Sequence, residues 1–223
     1  MPKIYAFYNP LAGNGSCKED VNLLELIYDD EIIYCDMTQP ETYETQLFAL
    51  QPEDFLILCG GDGTVNRFLN LVQDTPIACD ILLFPLGRRN NFARFLGHRY
   101  GDVPFSIKER LMDSPSISTG NRALRFVWGV EFELSDHRFG RQMCAATIDA
   151  DGISHRFKRR QLETTRHRNT QLLLQGRKAH RTKPKGLLSA GQISFRFDRP
   201  VTVLADGEII GQAKNCAVTI TKR

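Results

Sequence analysis

The sequence predicts an α/β domain with a Rossmann-like parallel sheet, followed by a mostly antiparallel β-sandwich domain. Strand-like and helix-like segments alternate over residues 3–96, which favours parallel strands joined by helices. Beyond Pro115, strand-like segments continue without long helical periodicity, which favours antiparallel strands. Because Asp113-Ser114-Pro115 interrupts a short helix, we assign residues 1–116 to the first domain and residues 117–223 to the second.

Hydrophobic spacing defines each element in order. Apolar, β-rich runs predict strands in the first domain at residues 3–8, 31–37, 54–59 and 80–84. Helical spacing predicts helices between them at residues 18–28, 41–50, 64–72 and 90–96. The second domain has strand-like runs at residues 122–134, 192–197, 201–204 and 215–221.

The composition is that of a soluble globular protein, with 42% hydrophobic and 25% charged residues in 223. We expect no secretory signal, and no apolar run reaches the roughly 20 residues that cross a bilayer. A cytoplasmic protein with at most peripheral membrane association is therefore expected. The six cysteines lack the spacing of zinc ligands, and we interpret them as buried free thiols.

Charge is divided unevenly along the chain. Residues 1–110 contain 9 Lys+Arg and 16 Asp+Glu, a formal charge of −7, and the remainder carries +10. Residues 155–185 hold 11 Lys+Arg and one acid, Glu163. This basic segment is either a solvated face or a docking site for anionic lipid headgroups. Nucleic acid is not an expected partner, because Phe157 is the only aromatic residue in the segment.

Two glycine-containing loops follow the first and third predicted strands. Residues 9–15 (NPLAGNG) are either an ordinary turn or a loop whose N–H groups face an anion. Residues 60–64 (GGDGT) contain more glycines than a turn needs, and they open a helix whose N-terminus favours phosphate. A carboxylate would repel phosphate unless a cation lay between them, so Asp62 suggests Mg²⁺. Thr64 is a candidate helix cap or phosphate donor.

A third loop, residues 85–94 (PLGRRNNFAR), follows the fourth predicted strand. Asn90 or Asn91 is a candidate cap for the next helix. Arg88 and Arg89 are either phosphate ligands or solvated surface charges. All three loops follow strands at the sheet edge where open α/β folds bind ligands. The dinucleotide and P-loop fingerprints are absent, so the loops predict another type of Mg²⁺-dependent nucleotide or phosphate binder.

These motifs, together with a late Asp206-Gly207-Glu208, resemble the diacylglycerol kinase catalytic family, which includes sphingosine-kinase-like and bacterial lipid kinases. The family pattern is NPxxGxG, GGDGTxNE, PxGTGNDFAR and DGE, in that order. The resemblance implies a nucleotide domain, a β-sandwich and an active site between them. It implies an enzyme that transfers the γ-phosphoryl group of ATP, with Mg²⁺, to a lipid hydroxyl such as that of diacylglycerol. It leaves a homodimer open.

The resemblance also implies roles for individual residues. Asp206 is the implied base, with Glu208 supporting it or the metal site, and Asp62 and Glu208 are the implied metal residues. Asp-Gly alone would favour a hairpin turn here. The residues implied in nucleotide binding are Asn9, Pro10, Gly13, Thr38, Gly60, Gly61, Asp62, Gly63, Thr64, Asn66, Gly87, Arg88 and Asn90.

The chain departs from the family pattern in the third loop, where GRRNN replaces GTGND. Three interpretations are open: a strained backbone at Arg89, arginines that bind phosphate, or arginines that occupy its place. The other departures are Arg67, Trp128, Arg141, Gln142 and a shortened region between about residues 130 and 138. These departures leave open a member that binds nucleotide or membrane without turnover. A soluble kinase of the NAD kinase or phosphofructokinase type is a further alternative, because GGDGT or a close variant also occurs there, but the late Asp206-Gly207-Glu208 disfavours it.

Overall fold

A computed structural model describes residues 2–72, 75–120, 122–136, 140–149, 152–157, 173–174, 177–178 and 192–219. The chain divides into two compact units, residues 1–112 and residues 113–223. Unit 1 is α/β and unit 2 is antiparallel β, so the predicted fold class is confirmed. Across the described ranges, no helix is long and apolar enough to cross a membrane.

Unit 1 is built on one five-stranded sheet with the order β2-β1-β3-β4-β5. Strands β1 to β4 are parallel, and β5 is antiparallel to β4. The strands are β1 (Ile4–Tyr8), β2 (Ile32–Asp36), β3 (Phe55–Gly60), β4 (Asp80–Pro85) and β5 (Phe105–Ser106). The helices are α1 (Cys17–Asp20), α2 (Pro40–Ala49), α3 (Asp62–Val72), α4 (Asn91–Phe95) and α5 (Lys108–Met112).

Alternate residues of β1 pack on opposite faces of this sheet, which is why the strand is buried on both sides. Ile4 and Ala6 lie in a core cluster with Cys17 of α1 and Leu24. On the other face, the Phe7 ring lies 6.2 Å from Tyr43 of α2 and 6.4 Å from Phe68 of α3, centroid to centroid. Helices on both faces leave the carboxyl ends of the strands as the edge where loops can gather.

The helix predicted over residues 18–28 is shorter and less regular than expected. It consists of α1 followed by a 3₁₀ helix, Val21–Leu26. A further 3₁₀ turn, Ala12–Gly15, lies in the first loop, where Gly13 and Asn14 both have φ of 63°. In the longer 3₁₀ helix only Val21 and Leu24 are buried, so this helix contacts the core over a single turn.

Unit 2 contains a seven-stranded antiparallel sheet with the order β10-β9-β8-β13-β14-β6-β7 and a two-stranded sheet, β11-β12. The strands of the large sheet are β6 (Ser116–Ser118), β7 (Ala123–Arg125), β8 (Gly129–Asp136), β9 (Gly140–Asp149), β10 (Gly152–Phe157), β13 (Gln192–Ala205) and β14 (Glu208–Thr219). The small sheet pairs β11 (Leu173–Leu174) with β12 (Arg177–Lys178). Most of the basic segment, residues 158–172, 175–176 and 179–185, lies outside the described residues.

All four predicted strands of unit 2 have different bounds in the structure. The run at residues 122–134 is broken between β7 and β8, at residues 126–128. The runs at 192–197 and 201–204 join into β13, whose pairing with β14 shifts register between Arg196 and Val201. The hairpin partner β14 begins at Glu208, seven residues earlier than the run at 215–221 predicted. An irregularity in the pairing interrupts the alternation that sequence patterns rely on.

The cysteines whose side chains are described are free and buried: Cys17, Cys35, Cys59, Cys79 and Cys216. Burial raises the pKa of Cys17 to about 12 and that of Cys35 to about 11. The interpretation of these thiols as buried core residues is confirmed for these five positions.

Candidate functional site

The three predicted loops meet at the carboxyl edge of unit 1. Their strands β1, β3 and β4 are neighbours in the sheet. The Asn9 N–H donates to the Cys59 carbonyl oxygen (3.1 Å), and the Leu86 N–H donates to that of Gly60 (3.0 Å). The Asn9 side chain also donates from Nδ2 to Thr64 Oγ1 at 3.4 Å. We call residues 9–15, 60–64 and 85–91 the loop cluster.

Glycines allow the backbones of the loop cluster to touch. A Cβ added to Gly87 would lie 2.2 Å from Gly61 Cα, and one added to Gly61 would lie 2.9 Å from Gly87 Cα. A Cβ on Gly13 would lie 2.8 Å from the Leu86 carbonyl oxygen. These distances are too short for any side chain, so the glycines are required by loop packing itself. Close approach to a phosphate would be an additional use of the same residues.

Asp62 is the first residue of α3, and its side chain reaches the N-terminus of α4. Its Oδ2 accepts the Asn91 N–H (2.8 Å) and its Oδ1 accepts the Phe92 N–H (2.9 Å). Burial raises the pKa of Asp62, while these two N–H groups and the Arg94 charge act in the opposite direction. The carboxylate therefore caps a helix that would otherwise end in unsatisfied donors. Its predicted role beside Mg²⁺ stays a prediction.

Asn90 precedes α4 and has a left-handed backbone with φ of 44°. Its Nδ2 donates to the Pro85 carbonyl oxygen at 3.0 Å. Positive φ falls on this asparagine, which tolerates it, and not on Arg89, so a strained backbone at Arg89, one of the three open interpretations, is not found. Arg88 and Arg89 are both exposed.

Three other residues predicted to bind nucleotide are Thr38, Pro10 and Asn66. Thr38, in the turn after β2, donates from its N–H and Oγ1 to Asp36 Oδ1, both at 2.7 Å. Pro10 is half-buried in the first loop, between Asn9 and the 3₁₀ turn. Asn66 lies in α3, where its carbonyl oxygen accepts Asn70 Nδ2 at 3.0 Å. These contacts give Thr38 and Asn66 local roles in a turn and a helix.

Asp206 and Gly207 form the hairpin turn between β13 and β14 in unit 2. Ala205 pairs with Glu208 across a two-residue loop, and both loop residues have positive φ, 51° and 88°. Positive φ at both central residues is the requirement of a type I′ turn, which Asp-Gly favours. The hairpin interpretation of this motif is therefore confirmed, while the catalytic roles of Asp206 and Glu208 stay predictions.

The Asp206 carboxylate, however, does more than a turn requires. Its Oδ2 accepts the Val127 N–H at 2.9 Å, and its Oδ1 accepts those of Trp128 and Gly129 at 2.8 and 3.1 Å. Val127 and Trp128 lie in the break between β7 and β8, and Gly129 is the first residue of β8. The side chain is buried, with 7% of its surface exposed, and its orientation is fixed by three backbone donors.

The donors at residues 127–129 were not predicted from the sequence. The run from residue 122 to 134 has the composition of one continuous strand, and backbone N–H groups leave no signature in side-chain type. Gly129, inside that apolar run, was the available signal, because an isolated glycine in a strand often marks an irregularity.

The roles of Asp62 and Glu208 as metal ligands stay predictions. Glu208 is exposed at the start of β14, in the other unit from Asp62. In the part of the chain that the structure describes, no group of three or more His, Cys, Asp and Glu residues could hold a metal ion.

Comparison with solved structures shows a shared fold. Two crystal structures from Bacillus anthracis str. Sterne, the first named a "putative diacylglycerol kinase" and the second a diacylglycerol kinase, align with 99% of this chain and 94% of theirs. Their TM-scores are 0.58 and 0.57, at 16% and 15% sequence identity.

Sequence comparison gives the family. Diacylglycerol kinases from Staphylococcus aureus, strains bovine RF122 / ET3-1 and MRSA252, are each 28% identical over 94 residues. The match spans 40% of this chain and 30% of each relative. The model of the diacylglycerol kinase catalytic domain matches residues 3–114, half of the chain, and includes the whole loop cluster. The chain therefore belongs to the diacylglycerol kinase catalytic domain family.

Proposed function

We propose that this family member is an ATP- and Mg²⁺-dependent lipid kinase, which transfers a phosphoryl group to a lipid hydroxyl such as that of diacylglycerol. The observation that carries the proposal is the loop cluster. Three loops that follow neighbouring strands are joined by hydrogen bonds and by the Gly61–Gly87 contact at the edge where open α/β sheets bind ligands.

The nucleotide is proposed to bind at this cluster, with its phosphates facing the glycine-rich backbones. Asn9 supports this role because its side chain links the first loop to Thr64 of the second. Arg88 follows Gly87 and is exposed, so its guanidinium is free to meet a phosphate. Mg²⁺ bound with the nucleotide would offset the charge of the phosphates. Asp62 would act beside it by holding α4 and the third loop in position.

The acceptor hydroxyl must lose a proton during transfer, and we propose Asp206 as the base. Its support is a buried carboxylate whose orientation three N–H groups fix. Glu208 is the other candidate base in the motif. It is exposed, whereas the three N–H groups donate to Asp206. Asp206→Asn and Glu208→Gln separate the two.

The test is transfer from labelled ATP, with Mg²⁺, to a panel of diacylglycerols, sphingoid bases and other lipid alcohols. We expect a labelled lipid product, lost on Asp206→Asn with ATP binding retained, and retained at least in part on Glu208→Gln. Intact ATP binding with no labelled lipid for any acceptor would reject the kinase proposal. Labelling of NAD instead of a lipid would favour a soluble kinase.

A second candidate is a member that binds nucleotide or membrane without turnover. The observation that favours it is that both Asp62 and Asp206 already serve the fold as acceptors of backbone N–H groups. Such a protein would bind ATP and vesicles but give no labelled lipid. Arg89→Gly restores the small residue of the family pattern. If the arginine side chain blocks the third loop, this variant should raise phosphoryl transfer strongly.

A further inference from the structure

Residues 86–100 form a closed loop that contains α4, and we call it the arginine loop. The Gly101 N–H donates to the Pro85 carbonyl oxygen at 3.1 Å, so the two ends of the loop meet. After α4 the chain turns back, with the His98 N–H donating to the Ala93 carbonyl oxygen at 2.8 Å. Compact loops with adjoining ends are frequently functional.

The arginine loop concentrates positive charge in an acidic unit. Residues 1–110 carry a formal charge of −7, yet residues 81–101 contain no Asp or Glu. The loop holds four arginines, all exposed: Arg88, Arg89, Arg94 and Arg99. The next acid is Asp102. Its Oδ2 lies 3.6 Å from His98 Nδ1 and accepts the Arg99 N–H at 2.8 Å. Arg94 also offsets part of the Asp62 charge, and Arg88 is proposed to meet the nucleotide, so Arg89 and Arg99 are the exposed arginines without another assigned role.

Apolar side chains are exposed among these cations. Phe95 is 39% exposed, Tyr100 51%, and Val103, just beyond the loop, 63%. The Tyr100 hydroxyl bonds to Asp20 and to Ser16 Oγ, the latter at 3.3 Å, which holds the ring at the end of the loop. The Arg110 guanidinium lies 6.0 Å from the Phe95 ring centroid. Aromatic rings with a polar end favour the boundary between lipid and water.

We propose that the arginine loop, with Val103 beside it, is a docking surface for a membrane that contains anionic lipids. The arginines match the charge of the headgroups, and Phe95, Tyr100 and Val103 match the apolar layer beneath them. A free phosphate ion would match the arginines but not the exposed apolar side chains. A membrane surface is the occupant that accounts for both features. The inference rests on the proposed lipid kinase function in one respect. Gly87 and Asn90 of this loop also belong to the loop cluster, so docking brings the nucleotide site to the lipid surface.

The first test compares two charge reversals in the full chain, Arg99→Glu in the loop and Arg67→Glu on α3. Both arginines are exposed in the same unit, so the two variants change net charge equally. Binding is measured by cosedimentation with phosphatidylcholine vesicles, with and without phosphatidylglycerol. We expect Arg99→Glu to weaken binding to anionic vesicles about 30-fold, from two units of charge at the surface. Arg67→Glu should change it far less, and added salt should weaken binding of the wild type.

ATP binding of the same variants identifies the source of the phosphate. Arg99→Glu is expected to bind ATP as the wild type does. Weakened ATP binding with unchanged vesicle binding would assign the loop to free phosphate and overturn the proposal. Equal vesicle binding by wild type and Arg99→Glu would also overturn it, and would point to another part of the chain, such as residues 155–185.

The second test does not depend on charge. An environment-sensitive fluorophore is attached at Val103→Cys or at Phe48→Cys, both in a Cys144→Ser background. Phe48 is the matched control, since it is 79% exposed on α2, which packs against the opposite edge strand β2. We expect anionic vesicles to shift the emission of the Val103 label to shorter wavelength and to leave the Phe48 label unchanged. No shift at Val103 would overturn the proposal. Neither test requires phosphoryl transfer. A protein that binds vesicles as expected but transfers no phosphoryl group would therefore contradict the proposed function and leave the docking proposal standing.

Discussion

Asp62 in unit 1 and Asp206 in unit 2 are both buried carboxylates that backbone N–H groups hold, but the two backbones differ. Asp62 accepts two donors from the first turn of α4, whose N-terminus would present free N–H groups in any protein. Asp206 accepts three donors, two from the interruption between β7 and β8 and one from the first residue of β8. It also has a left-handed backbone, with φ of 51°.

The difference bears on how a loss of activity should be read. At Asp62 the carboxylate completes a regular element, so its structural role is sufficient to explain its position. At Asp206 the carboxylate accepts N–H groups at an interrupted strand, whereas its positive φ is what the type I′ turn requires. Local irregularity of this kind is frequent at functional sites. Stability must therefore be measured beside activity at both positions before either residue is given a chemical role.

The largest expected effect is at Asp206. Asp206→Ala removes the acceptor of three N–H groups and places alanine at positive φ, and we expect it to destabilise unit 2 by about 4 kcal/mol. Asp206→Asn should cost about half as much, because asparagine tolerates this backbone and keeps one acceptor oxygen. Trp128 is the only tryptophan, so its fluorescence during urea unfolding reports on unit 2. Wild-type stability in Asp206→Ala would show that the three contacts contribute little.

Asp62 gives the next largest effect, in unit 1. Asp62→Ala leaves two N–H donors of α4 without their acceptor, and we expect a loss of about 3 kcal/mol. Helical circular dichroism is the measurement, because in the described ranges the α-helices all lie in unit 1. Asp206→Ala is the control, since it should leave this transition largely unchanged if the units unfold independently.

The pKa of Asp62 also predicts how the free energy of unfolding changes with pH. Because burial raises the pKa of Asp62 in the folded state, the folded protein holds this proton more strongly than the unfolded chain. The stability of the wild type relative to Asp62→Asn should therefore fall as pH rises from the ordinary pKa of 3.8 to the raised value. The measurement is the difference between their unfolding free energies across that interval. A difference that rises with pH would mean that the N–H donors and Arg94 outweigh burial.

Two glycines separate packing from turn geometry. Gly87→Ala places a Cβ 2.2 Å from Gly61 Cα, so the second and third loops must move apart, and we expect about 3 kcal/mol of destabilisation and weakened ATP binding. Gly207→Ala has open space around its Cβ and pays only for φ of 88°, about 1 kcal/mol. Equal costs for the two would show that the loop cluster adapts easily.

The sequence carried more information about the loop cluster than about unit 2, for a physical reason. Alternating strands and helices, with glycines after each strand, lead directly to three loops at one sheet edge, as found for residues 9–15, 60–64 and 85–91. The strand break at residues 126–128 and the early start of β14 depend on contacts between distant residues, such as Val127 with Asp206. The sequence predicted Asn90 or Asn91 as the cap of α4, and this was wrong: Asn90 makes no side-chain capping hydrogen bond, and Asp62 accepts the Asn91 N–H across 29 residues.

The smallest effect is expected at the thiols, which allow unfolding of the two units to be distinguished chemically. Burial raises the pKa of Cys216 in unit 2 to about 11 and raises that of Cys59 in unit 1. Both lack thiolate and access, so alkylation at neutral pH should be absent in the folded protein. With increasing urea, each thiol should become reactive when its own unit opens, as followed by mass spectrometry of the digested protein. Asp206→Ala should advance labelling of Cys216 to lower urea and leave Cys59 unchanged. If both thiols advance together, the units unfold as one, and the stabilities assigned to Asp62 and Asp206 must be treated as a single quantity.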